Sequence, residues 1–430
     1  MNLEPVTIKT LPRERLANIL QRSMEDISSI YEDMRKIVQD VKSRGDASLI
    51  DSCKEYKEQV SQQDLEVRPE EIEEAYNLLD PNVVDALKEA AKNITAFHQA
   101  QMERDMWALE VRPGVMVGRI LRPIERVGCY VPGGRASYPS TVLMTVIPAR
   151  VAGVGLVVVT TPAMEGMKVN PATLVAAHIS GCDRIFKVGG PWGIAGLAFG
   201  TESMPKVDKI VGPGNKYVTA AKMLVYGVVD IDSPAGPSEA LILADDSARP
   251  DLVAWDFLSQ VEHDPDSAAI LVTPSLELAQ KVCKKVLDLI KTQARQEIIR
   301  EALSKHSHVL VASDMDEAIA FTNDYAPEHL EIITHEPFEV LARIRHAGSI
   351  FLGPYSPVPV GDYASGTNHV LPTSRCARMF SGLSVDDFIK KPTFQYLNRK
   401  GLFSLKDVVT TLARAEGLEL HARCVEARFL

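Results

Sequence analysis

Glu328 and His329 stand side by side after Pro327, and Asp362 and His369 follow within the same stretch, Tyr325–Leu371. Around Asp362 and His369 lie Gly353, Pro354, Pro357, Pro359, Gly361 and Gly366. So many breakers predict loop rather than helix or long strand. Ionisable side chains gathered on a loop read as a site carried by a rigid scaffold. Histidine moves protons near neutral pH, and a shielded Glu can act as a base, so Glu328-His329 is a candidate acid–base pair. The alternative is an exposed pair at a loop–strand junction. His369 is a candidate substrate or metal-shell contact, or simply a structural histidine.

Gln260 and His263 end a helical pattern three residues apart, so one helix face can present an amide oxygen and an imidazole to a metal ion. The competing reading is a histidine closing a helix against its dipole. Asp362 and His421 can complete a mixed nitrogen and oxygen set of four, which suits zinc and leaves Mn or Co as substitutes. Three Gly-rich turns follow apolar runs: Pro132-Gly133-Gly134, Gly189-Gly190-Pro191 and Gly212-Pro213-Gly214-Asn215. Backbone can approach a dinucleotide closely at such turns, but none is a full G-x-G-x-x-G, and ordinary tight turns have the same composition.

The scaffold for these residues is large. With 430 residues, two or more domains are expected. The net charge of −10 argues against a nucleic-acid or acidic-membrane partner. The first residues lack a signal-length apolar core, and no apolar run is long enough to span a bilayer, so a cytoplasmic protein is expected. Six scattered cysteines include no CxxC pair, which points to neither a cysteine zinc site nor a disulfide framework.

Residues 13–110 read as helical, with apolar spacing of three and four in 16–21, 27–45 and 69–101. From Gly114 the texture changes. Strands are predicted at 154–161, 184–188, 209–211, 240–244, 268–273, 308–312, 330–334 and 349–352. Helices are predicted at 141–152 (interrupted at Pro148), 170–181, 190–200, 216–226, 250–263, 276–291, 315–323 and 338–347. The alternation argues for parallel α/β sheets with crossovers, in two units meeting near Asp230–Glu239. After Arg375 it gives way to a small tail with helices at 385–389 and 403–416.

Taken together, the motifs resemble the histidinol dehydrogenase family. The matching stretches are ERVGCYVPGGRASYPSTVLM, FGTESMPKVDKIVGPGNKYVTAAK, DIDSPAGPSEALILAD, DFLSQVEHDPDS, YAPEHLEI, GSIFLGPYSPVPVGDYASGTNHVLPTS, SVDDFIKK and ARAEGLELHA, in the same order over nearly the whole chain. The resemblance implies an α/β fold of two related, incomplete Rossmann-like domains with parallel sheets, a helical N-terminal and a small C-terminal extension, and an intertwined homodimer. The implied partition is 1–25 as N-terminal extension, 26–129 with 239–383 as the catalytic and metal domain, 130–238 as the NAD-binding side, and 384–430 as a tail reaching the partner subunit.

It further implies one Zn2+ per active site on Gln260, His263, Asp362 and His421, the last supplied by the partner subunit. Glu328 and His329 match the catalytic pair. Ser238, His369 and Glu416 match substrate contacts, alongside Gln260, His263, His329, Asp362 and His421. Tyr130 and Asn215 match NAD+ contacts. The implied reaction is NAD-linked, four-electron oxidation of an amino alcohol, L-histidinol, to L-histidine through bound histidinal, the end of histidine biosynthesis. Where the family usually reads G-G-A-Q-A, this chain has Gly189-Gly190-Pro191-Trp192-Gly193, so Trp192 stands at an NAD-contacting position. That departure leaves room for a paralogue oxidising another alcohol, such as a sulfonated propanediol or a polyol, to its acid.

Overall fold

The computed structural model describes residues 3–21, 28–133, 137–233 and 236–430. Ile27, Gly134 and Pro234-Ala235, which entered the expectations above, lie outside them. The chain forms two compact units: Met1–Gln101 with Glu125–Asp387, and Met102–Ile124 with Phe388–Leu430. Among the described residues no helix is long and apolar enough to cross a membrane.

The first unit holds two parallel sheets. One takes Arg126–Tyr130, Leu156–Thr160, Arg184–Phe186, Lys209–Val211 and Asp230–Ile231 in the chain order 3-2-1-4-5. The other takes Glu239–Ala244, Ala268–Thr273, His308–Val311, His329–Ile333 and Ser349–Leu352 in the same order. The repeated order makes the two α/β halves topological copies. The strands Glu239–Ala244 and Ala268–Thr273 are buried throughout, as continuous apolar runs between two helical layers should be. The last strand of the first sheet is Asp230–Ile231, and the first of these strands of the second is Glu239–Ala244.

Several sequence expectations are corrected. Near the N-terminus, Pro5–Thr7 pairs in parallel with His308–Val311 as a sixth strand, and Ile19 packs into the same sheet's core. Residues 28–101 share one compact unit with 239–383. Val38, Val41, Leu49 and Leu65 share a core with Val158, Phe186 and Ile194 of the five-stranded sheet, and that sheet begins at Arg126, before the expected boundary at Tyr130. The helical reading of 13–110 fails at Met106–Arg112, which is a strand. The helices expected at 338–347 and 385–389 shrink to Pro337–Leu341 and a single turn, Val385–Phe388.

Pro148 does not interrupt its helix, which runs over Pro139–Val151. A proline there removes the N–H that would bond the carbonyl four residues back. That carbonyl, Met144 O, accepts instead from Asn368 Nδ2 at 2.7 Å. The stretch expected to be loop also contains a helix, Val358–Tyr363, which carries Asp362. Its prolines stand at the N-cap (Pro357) and in the first turn (Pro359), where a missing N–H breaks no helical bond.

The second unit is built on Val115–Ile120, which pairs antiparallel with Met106–Arg112 on one side and Thr393–Leu397 on the other. A two-stranded ribbon, Arg122–Pro123 with Ile389–Lys390, lies beside them in sequence. The helices Arg399–Ala415 and Glu419–Glu426 complete it.

Candidate active site

The helix Met315–Tyr325 ends on Ala326, whose φ of +49° turns the chain sharply before Pro327. Glu328 then sits one residue ahead of the strand His329–Ile333. The adjacent strand locks this corner, because Gly348 N donates to Pro327 O at 2.9 Å and Ser349 N to Glu328 O at 2.8 Å. A Cβ on Gly348 would lie 2.6 Å from Glu328 O, so only glycine allows the approach.

Glu328 and His329 are buried, not exposed. Glu328 Oε2 accepts from Glu239 N at 2.8 Å and from Ser238 Oγ at 2.9 Å. Ser238 Oγ in turn accepts from Gln260 Nε2 at 3.0 Å. Gln260 comes from the last turn of the helix Pro250–Val261 and is buried. His263 lies just past that helix, after the capping residue Glu262, and is exposed.

His329 Nδ1 is 3.1 Å from the Glu239 carbonyl, which can only accept, so Nδ1 carries the proton and Nε2 is the basic atom of the neutral ring. Nε2 is buried without a hydrogen-bond partner and faces Asp362 Oδ1 at 3.6 Å. Burial opposes a charge on this imidazole. The Glu328 carboxylate and Asp362 outweigh it and hold the ring well above its usual 6.5. Burial likewise raises the Asp362 carboxyl, but His329 first, then His369 and His263, bring it below the ordinary value. His369 Nδ1 is 3.0 Å from Asp362 O and its Nε2 3.1 Å from Thr141 Oγ1. Burial pushes its pKa down.

The structure thus joins Ser238, Gln260, Glu328, His329, Asp362 and His369 at the amino ends of the six-stranded sheet. Glu416 and His421 belong to the second unit and are exposed there, Glu416 as the cap of the helix Arg399–Ala415. Tyr130, Trp192 and Asn215 flank the carboxyl edge of the five-stranded sheet. Tyr130 OH accepts from Gly190 N at 3.2 Å. Trp192 is half-buried against the core that includes Tyr130. Asn215 is exposed and caps the helix Lys216–Val225 through Oδ1. Among the described residues, His, Cys, Asp and Glu ligand atoms gather in a group of three within 4.8 Å only at Asp245, Asp246 and His335. That group does not coincide with any expected ligand.

Two carboxyls escaped sequence reasoning. Glu331, two residues after His329 on the same strand face, accepts from Val358 N at 2.9 Å and so ties the strand to the helix carrying Asp362. It is buried, and burial first, then the charge of the neighbouring Asp256, raises its pKa well above 4.5. The signal was an acid inside the apolar strand HLEII. Burial also raises Asp256, from 3.8 to about 6. Such a raised group stabilises the fold fully below its unfolded value, and that contribution is lost as pH rises through about 6. Asp256→Asn should therefore gain stability relative to the parent between about pH 4 and about pH 8, by up to roughly 2–3 kcal/mol. Denaturant titrations at both pH values would test it; a difference that does not change with pH would refute it.

The model of the family "Histidinol dehydrogenase" matches residues 20–429. The chain is 51% identical to the histidinol dehydrogenase of Methanococcus maripaludis over 98% of each chain. It is 51% identical to that of Methanothermobacter thermautotrophicus, over 96% of this chain and 97% of the relative. The crystal structure of histidinol dehydrogenase from Elizabethkingia anophelis superposes with a TM-score of 0.94 at 39% identity, covering 99% of this chain and 98% of that one. With its motifs, its fold and nearly the whole of its sequence matched, the chain belongs to the histidinol dehydrogenase family.

Proposed function

We propose that the chain oxidises L-histidinol to L-histidine in two NAD-linked steps, as a zinc-dependent homodimeric enzyme of the cytoplasm with two incomplete Rossmann-like halves. The observation that carries this reading is the buried pair itself: Glu328 held by Ser238 and Glu239, and His329 with its basic Nε2 directed at Asp362. Relatives alike over the full length bear the name of that activity, which favours histidinol over a sulfonated propanediol or a polyol.

The residues present fit zinc. An orphaned, buried imidazole nitrogen faces a carboxylate, and the Gln260 amide, anchored through Nε2, has Oε1 to offer a cation. Gln260, His263 and Asp362, with His421 of the second unit taken from the partner subunit, would hold it, and Zn2+ would supply a Lewis acid that fixes the amino alcohol. A cation on Asp362 would also offset the negative charge that keeps His329 protonated, which frees Nε2 as a base.

They fit a dinucleotide as well. The strand order reverses between Arg126–Tyr130 and Lys209–Val211, and the crevice at such a reversal is where nucleotides bind in open α/β sheets. Gly212 there has φ +119°, and a Cβ on it would lie 2.1 Å from Tyr130 O. NAD+ would supply the hydride acceptor for both oxidations, and in the first His329 Nε2 would take the hydroxyl proton. In the second, Glu328 would take a proton from the water that adds to the aldehyde, which gives the hydrate that is then oxidised to the acid. Ser238, His369 and Glu416 would position the substrate, and Trp192 would pack against the cofactor beside Tyr130 and Asn215.

Dialysis against a strong chelator should abolish turnover, and added zinc should restore it, with two NADH formed per histidinol consumed. Full turnover by protein shown to be metal-free, or one NADH per substrate, would sink the reading.

A further inference from the structure

Lys222 and Asp232 form a buried ion pair outside the chemistry described so far; their side chains are 5% and 7% exposed. Replacing such a pair by apolar residues is often neutral or stabilising, so stability alone is a weak reason for one. What distinguishes this pair is where its remaining bonds go. Asp232 Oδ2 accepts from Gly212 N at 2.6 Å. Lys222 Nζ donates to Gly212 O at 3.0 Å. The peptide groups on both sides of a single glycine are therefore gripped by opposite ends of one ion pair.

Gly212 opens the turn Gly212-Pro213-Gly214-Asn215 at the sheet's reversal point. Its φ of +119° is open to glycine at little cost, but glycine also has the most alternative conformations to lose. The pair selects one of them. Lys222 reaches back from the helix Lys216–Val225 that the turn initiates. Asp232 lies on the other side, in the link leading to Ser238 and Glu239, and its own N–H bonds Ile210 O at 3.3 Å. The turn is thus tied both to the helix behind it and to the segment that follows the strand Asp230–Ile231.

We propose that Lys222 and Asp232 are positioning residues for the dinucleotide: together they fix the Gly212 peptide so that the 212–215 turn presents one backbone surface to NAD+. This rests on the NAD-linked reading above, and its test separates the two.

The test compares the parent with the double variant Lys222→Met, Asp232→Leu, which fills the site without leaving an unpaired charge. NAD+ is titrated by quenching of intrinsic fluorescence with no substrate present. Histidinol binding is measured by calorimetry without NAD+, and bound zinc by metal analysis. The expected result is an NAD+ dissociation constant raised about tenfold or more, with histidinol affinity and zinc content unchanged. Single variants should weaken NAD+ at least as much, since each leaves a buried charge. If the parent itself does not bind NAD+, the NAD-linked reading fails. If the parent binds and the double variant binds equally well, the positioning role is overturned. A double variant that does not fold, or that loses both ligands in parallel, would also overturn it, by making the pair a general support of the fold.

Discussion

Glu328→Gln should lose aldehyde oxidation by about 10²–10⁴-fold, the usual cost of removing a general base, while keeping most of its alcohol-oxidation rate. The expectation follows from where the carboxylate is held. Both of its hydrogen bonds fall on Oε2, from Ser238 Oγ and Glu239 N. That leaves Oε1 for a water, and the amide of Gln can keep the first contacts while losing the basicity the water needs. Only the second step consumes water, so only that step should suffer. His329→Asn should show the opposite emphasis, because Nε2 is the atom that takes the alcohol proton. Supplying histidinol and histidinal separately and following NADH resolves the two steps. Equal losses in both for Glu328→Gln would refute the division of labour, and an unfolded variant would be recognised by its circular dichroism.

Much of the scaffold was legible because it is made of local signals. Runs such as Val157–Val159 and Leu241–Leu243 are apolar on every residue, and strands buried on both faces require that. The helices between them have marked ends, as with Asn170, whose Oδ1 accepts from Ala172 N, and the left-handed Gly181. What escaped was long-range. Thr393–Leu397 pairs with Val115–Ile120 across most of the chain, and nothing in either segment names its partner. Pro148 looked like a break because its compensation, Asn368, lies in another part of the chain. Composition misled at Val358–Tyr363 because prolines in a first helical turn look the same as prolines in a loop.

The site divides along the same line. Residue type and adjacency pointed to Glu328-His329, and the three-residue spacing pointed to Gln260 and His263. Bringing Ser238 to Glu328 required the parallel pairing of Glu239–Ala244 with His329–Ile333, which no spacing reveals. The meeting of Glu331 with Asp256, and the Lys222–Asp232 grip on Gly212, were invisible for the same reason. Each depends on how separate elements pack against one another.

His263→Ala and His421→Ala proteins should each be inactive alone, yet recover about a quarter of parental activity when refolded together, as random pairing in a two-fold dimer dictates. Half of the dimers would then be mixed, and each mixed dimer would have one intact composite site and one doubly damaged site. The proposal behind this is that His421 and Glu416 complete the site of the other subunit. Both are exposed in their own unit, where a metal ligand and a substrate contact would otherwise be idle. The same unit exposes Met106, Trp107, Leu109 and Val111 along one strand, Tyr396 on the strand Thr393–Leu397, and Phe403 and Leu412 on the helix Arg399–Ala415. So much apolar surface on one small unit fits a protein–protein contact better than open solvent. Separating the refolded mixture by differently tagged chains shows whether mixed dimers are present. Mixed dimers without activity would mean that each site is built from a single chain, and the exposed positions of Glu416 and His421 would then need another explanation.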